Sequence, residues 1–334
     1  MPSIVNLTHH LCPKLIATAA LTAILAGSPH AQTARVEIHP FASTTLKDPE
    51  FLSGGGGGKE VTIAGELRLP KGSGDKVPAV ILLHGSGGLG GTISPVDEWS
   101  RELNQLGIAA FAVDSFSGRG IISTLEDQTQ LGRLAMVVDA YRALELLAND
   151  IRIDPTRIAV MGFSRGGQSA LYSAMTRLYQ AKGPSNNLRF AAHIAFYPDC
   201  MTTYRNDTEV NGVPIRILHG TLDDYNPIAP CRDYVGRLVS ADRDAKLIEF
   251  PDGPHVFDGP ALKTPVVLKN ATTNRRCRMA EGSDSQILNI ATKAPFSYSD
   301  ACVEKGPTIA FNEESYRQAH AFMRQFLKDL FRLR

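Results

Sequence analysis

Arg157-Ile-Ala-Val-Met-Gly162-Phe-Ser164-Arg165-Gly166-Gly167-Gln168 reads as a strand, a sharp turn and the start of a helix in immediate succession. Ile158 to Met161 is the apolar run that a strand buried on both faces requires, and Gln168 to Leu178 continues as a helix. The turn between them carries the Gly-x-Ser-x-Gly pattern of a nucleophile elbow, in the strand–turn–helix context that gives the pattern meaning. Such a turn lifts Ser164 above the sheet edge in a strained conformation. Side chains two residues to either side would collide, so Gly162 and Gly166 remove them, and Gly167 lets the helix start close to the strand. A chance match in a glycine-rich chain is the competing reading, and it leaves the flanking elements unexplained.

Working outward, the alternation repeats. Val61 to Leu69 alternates apolar and polar residues as an edge strand does, while Ala79 to Leu83 and Ile108 to Val113 are continuous apolar runs. Phe190 to Phe196, Ile215 to Leu218 and Lys246 to Phe250 supply three further strands. Helices are expected at Trp99 to Leu106 and over 128–149, where Leu131, Leu134, Val138, Tyr141 and Leu144 step by three and four. A closing helix carries Tyr316, Ala319, Met323, Phe326 and Leu330, with Asn312 as its cap. This order predicts an α/β fold, a mostly parallel, doubly wound sheet with helices on both faces, over residues 60–334. Residues 259–310 fit it worst and read as an insertion packed near the pocket. Residues 32–59 end in Gly54 to Gly58 and read as a flexible segment. Lys59 invites a phosphate-loop reading, but Glu60 stands where a Ser or Thr should bind magnesium.

A chain of 334 residues can bury a large core, and its net charge of +1 gives no reason to expect nucleic acid as a partner. Leu15 to Gly27 is an apolar stretch behind Lys14, too short to span a bilayer and ending in small residues. Residues 1–31 therefore read as a secretory signal peptide, and the mature protein as periplasmic or secreted, without membrane contact. Cys12 leaves with the signal. Cys200, Cys231, Cys277 and Cys302 remain, an even number that suggests two disulfides in an exported protein. Of the three pairings, Cys200–Cys231 would join loops leaving neighbouring strands, and Cys277–Cys302 would close a loop poor in secondary-structure signal. Zinc is the rival use, but no Cys-x-x-Cys spacing supports a metal site.

A serine hydroxyl is a weak nucleophile without a base, and the base needs a carboxylate to orient it. After an elbow of this kind the chain order is Ser, acid, His. Among nine histidines, His9, His10 and His30 fall in the signal, and His39 and His320 flank the core. His193 lies inside a strand as a packed core residue, His84 follows the first buried strand, and His219 ends a strand ahead of the acid loop. His255 remains, in the turn-rich Phe250-Pro-Asp-Gly-Pro-His255-Val-Phe257 on the expected edge. The acid is sought in His219-Gly220-Thr-Leu-Asp223-Asp224, and Asp223 has the better spacing from Gly220 and Pro227. Asp224 is left to cap the next helix, and Asp199 is the runner-up position. Oxyanion donors are expected from the backbone N–H of Arg165 and of Ser86, in His84-Gly85-Ser86-Gly87-Gly88.

Together these motifs resemble the dienelactone hydrolase family of the α/β-hydrolases, over roughly residues 60–258. The resemblance rests on His84-Gly-Ser-Gly-Gly, Asp114-Ser-Phe-Ser-Gly-Arg119-Gly, the elbow, Gly220-x-x-Asp223 and His255-x-Phe257. It departs at three points. Family members of the dienelactone type use a cysteine where this chain has Ser164, a Glu where it has Gly85, and an Arg where it has Gly259. The first two changes fit together, because a serine needs no control of a thiolate. The third argues against a small anionic lactone. Arg119 lies where another family arginine meets substrate, so the resemblance makes it a candidate to hold an acyl carboxylate or phosphate. Its alternative role is a salt bridge fixing its loop. The implied activity is hydrolysis of a small-molecule carboxylic ester or lactone through an acyl-enzyme, with no cofactor. The alternatives are an aminopeptidase-like amide hydrolase and a non-catalytic binding protein on the same scaffold.

Overall fold

The computed structural model describes residues 1–3, 33–54, 57–72, 76–91 and 93–333. The expected signal segment lies outside the described residues but for its first three. An eight-stranded sheet forms the centre, in the order β1-β2-β4-β3-β5-β6-β8-β9. These strands are β1 (Thr33–Thr45), β2 (Lys59–Pro70), β3 (Val77–Leu83), β4 (Ala109–Asp114), β5 (Ile153–Phe163), β6 (His193–Phe196), β8 (Ile215–Gly220) and β9 (Ala245–Phe250). A two-residue strand, β7 (Thr202–Thr203), belongs to a separate small sheet. β2 pairs antiparallel with both neighbours, and the pairings from β4 through β9 are parallel.

The apolar runs explain why the sheet is buried on both faces. In β3 every residue is buried. Ala79, Ile81 and Leu83 join one hydrophobic cluster, and Val80 and Leu82 join another on the opposite face. The first cluster is covered by α3 (Ala135–Ala148), α4 (Arg165–Tyr172) and α6 (Ala229–Ser240). The second is covered by α2 (Val96–Gln105), through Trp99 and Leu103, and by α7 (Glu313–Phe331), through Met323, Leu327 and Phe331. The expected α7 cap is present, since the Asn312 side chain accepts from Ser315 N at 2.9 Å. The helix expected over 128–149 begins only at Ala135, with a short 3-10 turn at Gln128–Gln130 ahead of it.

Two sequence expectations are corrected. Of the expected flexible segment 32–59, the described residues 33–54 are not a flexible connector: β1 pairs along its length with β2, and a short helix, α1 (Asp48–Leu52), buries Phe51 and Leu52. Consequently β2 is not the edge strand. The β1 signal was hidden because an edge strand needs no inward stripe: Val36 and Ile38 are exposed, and Pro40 interrupts the pattern. The second correction concerns the run after Ser164. It is two helices, α4 and α5 (Thr176–Lys182), broken at residues 173–175.

Residues 259–310 carry only short strands. Met279–Glu281 pairs with Ile287–Asn289 and with β7, Val266–Val267 with Thr308–Ile309, and Thr272–Thr273 with Glu304–Lys305. Disulfides join Cys200 to Cys231 and Cys277 to Cys302. No helix among the described residues is long and apolar enough to cross a membrane.

Candidate active site

Ser164 stands between β5 and α4 with φ 53° and ψ −114°, a conformation that side-chain-bearing residues rarely adopt. The surroundings hold it there. Ser164 N donates to Phe196 O at 2.9 Å, and Ser164 O accepts from Gln168 N at 2.8 Å. A Cβ on Gly162 would lie 2.1 Å from Gly166 O, and one on Gly166 would lie 2.2 Å from Leu83 O. The glycines are thus required by contact with backbone that cannot move aside.

Two loops bring partners to this turn. The loop after β8 carries Asp223, whose Oδ1 accepts from Tyr225 N at 2.9 Å and Asn226 N at 2.8 Å. The loop after β9 carries His255, whose Nδ1 lies 2.7 Å from Asp223 Oδ2 and whose Nε2 lies 3.0 Å from Ser164 Oγ. The carboxylate can only accept, so the imidazole proton sits on Nδ1 and Nε2 accepts from the serine hydroxyl. The two loops meet where a Cβ on Gly220 would lie 2.0 Å from Gly253 O. Tyr197 and Tyr225 pack against the imidazole at 4.7 and 4.8 Å between ring centres. Ser164, Asp223 and His255, distant in sequence, are therefore brought together.

Asp199 and Asp224 do other things. Asp199 accepts from Arg133 Nη1 (3.1 Å), Asn274 Nδ2 (2.9 Å) and Met201 N (2.8 Å). Asp224 is not a helix cap: it accepts from Thr308 N at 2.8 Å and pairs with Arg275 at 3.3 Å, which ties the 259–310 segment to the acid loop.

His84 has a role that its position in sequence did not reveal. Its Nε2 accepts from Ser115 N at 3.2 Å, so its proton lies on Nδ1, which donates to Gly85 O at 2.8 Å. Burial pushes the His84 pKa down and keeps the ring neutral in this arrangement. Gly85 C=O and Ser86 N–H belong to one peptide plane, so His84 fixes the direction of the Ser86 N–H. Ser86 and Arg165 both line the cavity beside Ser164. The Arg165 side chain turns away to Leu131 O, Gly132 O and Gln128, pinning the 128–132 loop.

Arg119 is not brought to the site. Its guanidinium pairs with both oxygens of buried Asp139, at 2.8 and 2.9 Å, and donates to Ser115 O and Thr45 Oγ1. Its side chain is 4% exposed and its donors are occupied by the protein, so it fixes its loop to β1 and α3 and offers no charge to a ligand.

Two cavities flank Ser164. One, of about 50 Å³, is mostly apolar and is bounded by Ile93, Leu125, Phe163, Val256, Leu268 and Ile309, with His255 on its wall. The other, of about 30 Å³, is polar and is bounded by Arg133, Arg165, Gln168, Asp199, Asn274 and Tyr298. Leu268, Ile309, Asn274 and Tyr298 come from 259–310, which therefore contributes to both. Among the described residues no group of three or more His, Cys, Asp or Glu side chains could hold a metal ion.

A single strand running against its neighbours, and a strained serine turn where the parallel strands end, place the molecule among the α/β-hydrolases. The family model of the dienelactone hydrolases matches residues 63–278. The chain belongs to that family and is a carboxylic ester hydrolase. No curated protein matches its sequence. Among solved structures it is similar to m3DLH, with TM-score 0.56 and 19% identity over 89% of this chain and 99% of that one. It is also similar to a protein provisionally described as a dienelactone hydrolase from Klebsiella pneumoniae, with TM-score 0.55 and 15% identity over 87% and 98%. A dienelactone hydrolase-like promiscuous phosphotriesterase from metagenomic libraries gives TM-score 0.52 and 16% identity over 88% and 99%. At these identities the likeness concerns the fold.

Proposed function

We propose that the protein is an exported serine hydrolase that cleaves a carboxylic ester or lactone through an acyl-enzyme. The reading is carried by one observation, the unbroken line of hydrogen bonds from the Ser164 hydroxyl through the His255 imidazole to the Asp223 carboxylate. Ser164 Oγ attacks the carbonyl carbon as His255 Nε2 takes its proton. Asp223 holds the imidazole in the required tautomer and stabilises the imidazolium that forms. The carbonyl oxygen, now negative, accepts from the N–H groups of Ser86 and Arg165. As the tetrahedral intermediate collapses, the bond to the leaving alcohol breaks and His255 returns the proton to it. Water, deprotonated by the same imidazole, then attacks the acyl-serine and frees the acid and Ser164.

Gly85, standing where dienelactone-type members place a glutamate, is consistent with a nucleophile that needs no thiol control. Export is supported by the leader-like Leu15 to Gly27 and by two disulfides, which persist in oxidising compartments. The test is hydrolysis of short p-nitrophenyl esters by wild type and Ser164→Ala. A loss of about 10⁴-fold or more in kcat is expected. Equal rates would end the assignment.

A further inference from the structure

The chain leaves His255 by a route that its backbone resists. Val256 has φ 62°, and a β-branched residue in the left-handed region is a rare, strained arrangement. Tyr197, directly after β6, has φ 38° and is strained in the same sense. Such conformations persist only where the surroundings over-determine them. A buried hydrogen bond joins the two places: the Tyr197 hydroxyl donates to Asp258 Oδ1 at 2.7 Å, just past Val256.

Both ends of that bond are anchored. Asp258 is fully buried, and its Oδ2 accepts from Trp99 Nε1 of α2 at 2.8 Å. Tyr197 N donates to Leu218 O of β8 at 2.8 Å, and Tyr197 O accepts from Asn226 Nδ2 at 3.0 Å. The backbone N–H of Asn226 in turn donates to Asp223 Oδ1. The contacts close a circuit. It runs from the His255 imidazole to Asp223, through Asn226 to Tyr197, across to Asp258, and along the chain back to His255. Inside it the Tyr197 ring lies 4.7 Å from the imidazole and 5.5 Å from the Phe257 ring, centre to centre.

The chemistry explains why the imidazole needs such a frame. Nε2 must take a proton from Ser164 and then present it to the leaving alcohol, and a shift of about 1 Å misaligns both transfers. The frame is also separable from substrate binding. Tyr197 forms part of the apolar cavity wall, but its hydroxyl is spent on Asp258, and Asp258 lines neither cavity beside Ser164.

We propose that the hydrogen bond between Tyr197 and Asp258 is a clasp that holds the strained histidine loop so that His255 stays in line with Ser164. Tyr197 and Asp258 are then positioning residues for the hydrolysis. The proposal rests on the serine-hydrolase reading above.

The test is steady-state hydrolysis of p-nitrophenyl acetate by wild type, Tyr197→Phe, Asp258→Ala, Asp258→Asn and the double variant Tyr197→Phe/Asp258→Ala. Tyr197→Phe removes the bond and keeps the ring, so kcat is expected to fall about tenfold or more while KM changes less than about threefold. Because the two residues act through one bond, the double variant should lose no more kcat than Asp258→Ala alone. Asp258→Asn keeps a partner for each neighbour: its amide oxygen accepts from Trp99 and its amide nitrogen donates to the Tyr197 oxygen. Its kcat should stay within about threefold of wild type. If Asp258→Ala does not fold, the two near-isosteric variants carry the test. Wild-type kcat in Tyr197→Phe, a change confined to KM, or a loss in Asp258→Asn as large as in Tyr197→Phe overturns the clasp and leaves the hydrolase reading intact. Wild-type turnover that does not depend on Ser164 removes both.

Discussion

The turn around Ser164 and the segment 259–310 line the same cavities and are held by different forces. The turn is held by backbone. Three glycines, Gly162, Gly166 and Gly167, sit where a Cβ would come within 2.6 Å or less of a carbonyl oxygen. The segment has few backbone ladders and is held by side chains: the Cys277–Cys302 disulfide, Glu281 between Arg177 and Arg205, and Arg275 and Arg276 on Glu304. The lesson is a division of labour. Contacts that no other residue can make fix the reacting atoms, and contacts that many sequences could make shape what surrounds them.

The sharpest way to break the comparison is Gly166→Ala. Its methyl group would meet Leu83 O at 2.2 Å, and neither β3 nor α4 can yield without moving the sheet. A loss of more than about 3 kcal/mol in urea unfolding is expected, with activity falling along with it. A folded, active Gly166→Ala protein would show that the turn is not fixed by backbone.

A smaller effect is expected from the segment. Replacing Cys277 and Cys302 together by Ser removes a staple worth about 2–4 kcal/mol. Since neither cysteine touches the hydroxyl–imidazole–carboxylate line, KM for a short ester should rise while kcat changes less than about threefold. Steady-state kinetics beside urea unfolding check this, and a collapse of kcat at unchanged KM would erase the distinction.

Acid should separate the sheet beneath the turn from the segment by pH, with the smallest effect. His193, in β6, is fully buried, and burial pushes its pKa down to about 4 from an ordinary 6.5. Between those values the unfolded chain binds the proton and the folded one does not. The stabilisation is complete above about pH 6.5 and is lost as pH falls toward 4, by about 2 kcal/mol at pH 5. Glu281 behaves differently: although burial opposes its charge, Arg177 and Arg205 hold its carboxyl below the ordinary range, so its contribution survives until the pH is lower still. The urea midpoint should therefore begin to fall near pH 6.5, and His193→Gln should shrink that first step, leaving the part that buried His84 and His219 contribute. A midpoint flat down to pH 4.5 would contradict it.

The same division explains what could be read from the chain. Gly162, Ser164, Gly166, Gly220, Asp223 and His255 were legible because local sterics and a fixed order along the fold constrain them. The disulfide pairs were legible from spacing and strand order. Arg119 was left open between a substrate contact and a salt bridge because its carboxylate partner, Asp139, lies on another element and leaves no trace near it in sequence. β1 was missed because an edge strand bears no inward apolar stripe. Arg133, Gln168, Asn274 and Tyr298 were not foreseen because the polar cavity is assembled from separate stretches, none with a pattern of its own.

One feature binds the two regions. Ala310 N donates to His255 O and Asn312 N to Phe257 O, both at 3.1 Å, while Asp224, the neighbour of Asp223, accepts from Thr308 N. The way out of the 259–310 segment thus runs as a splint along the histidine loop. A cut beyond Thr308 would unseat the very ring that moves the proton, whereas the stretch before it reaches the acid loop through the Arg275 side chain.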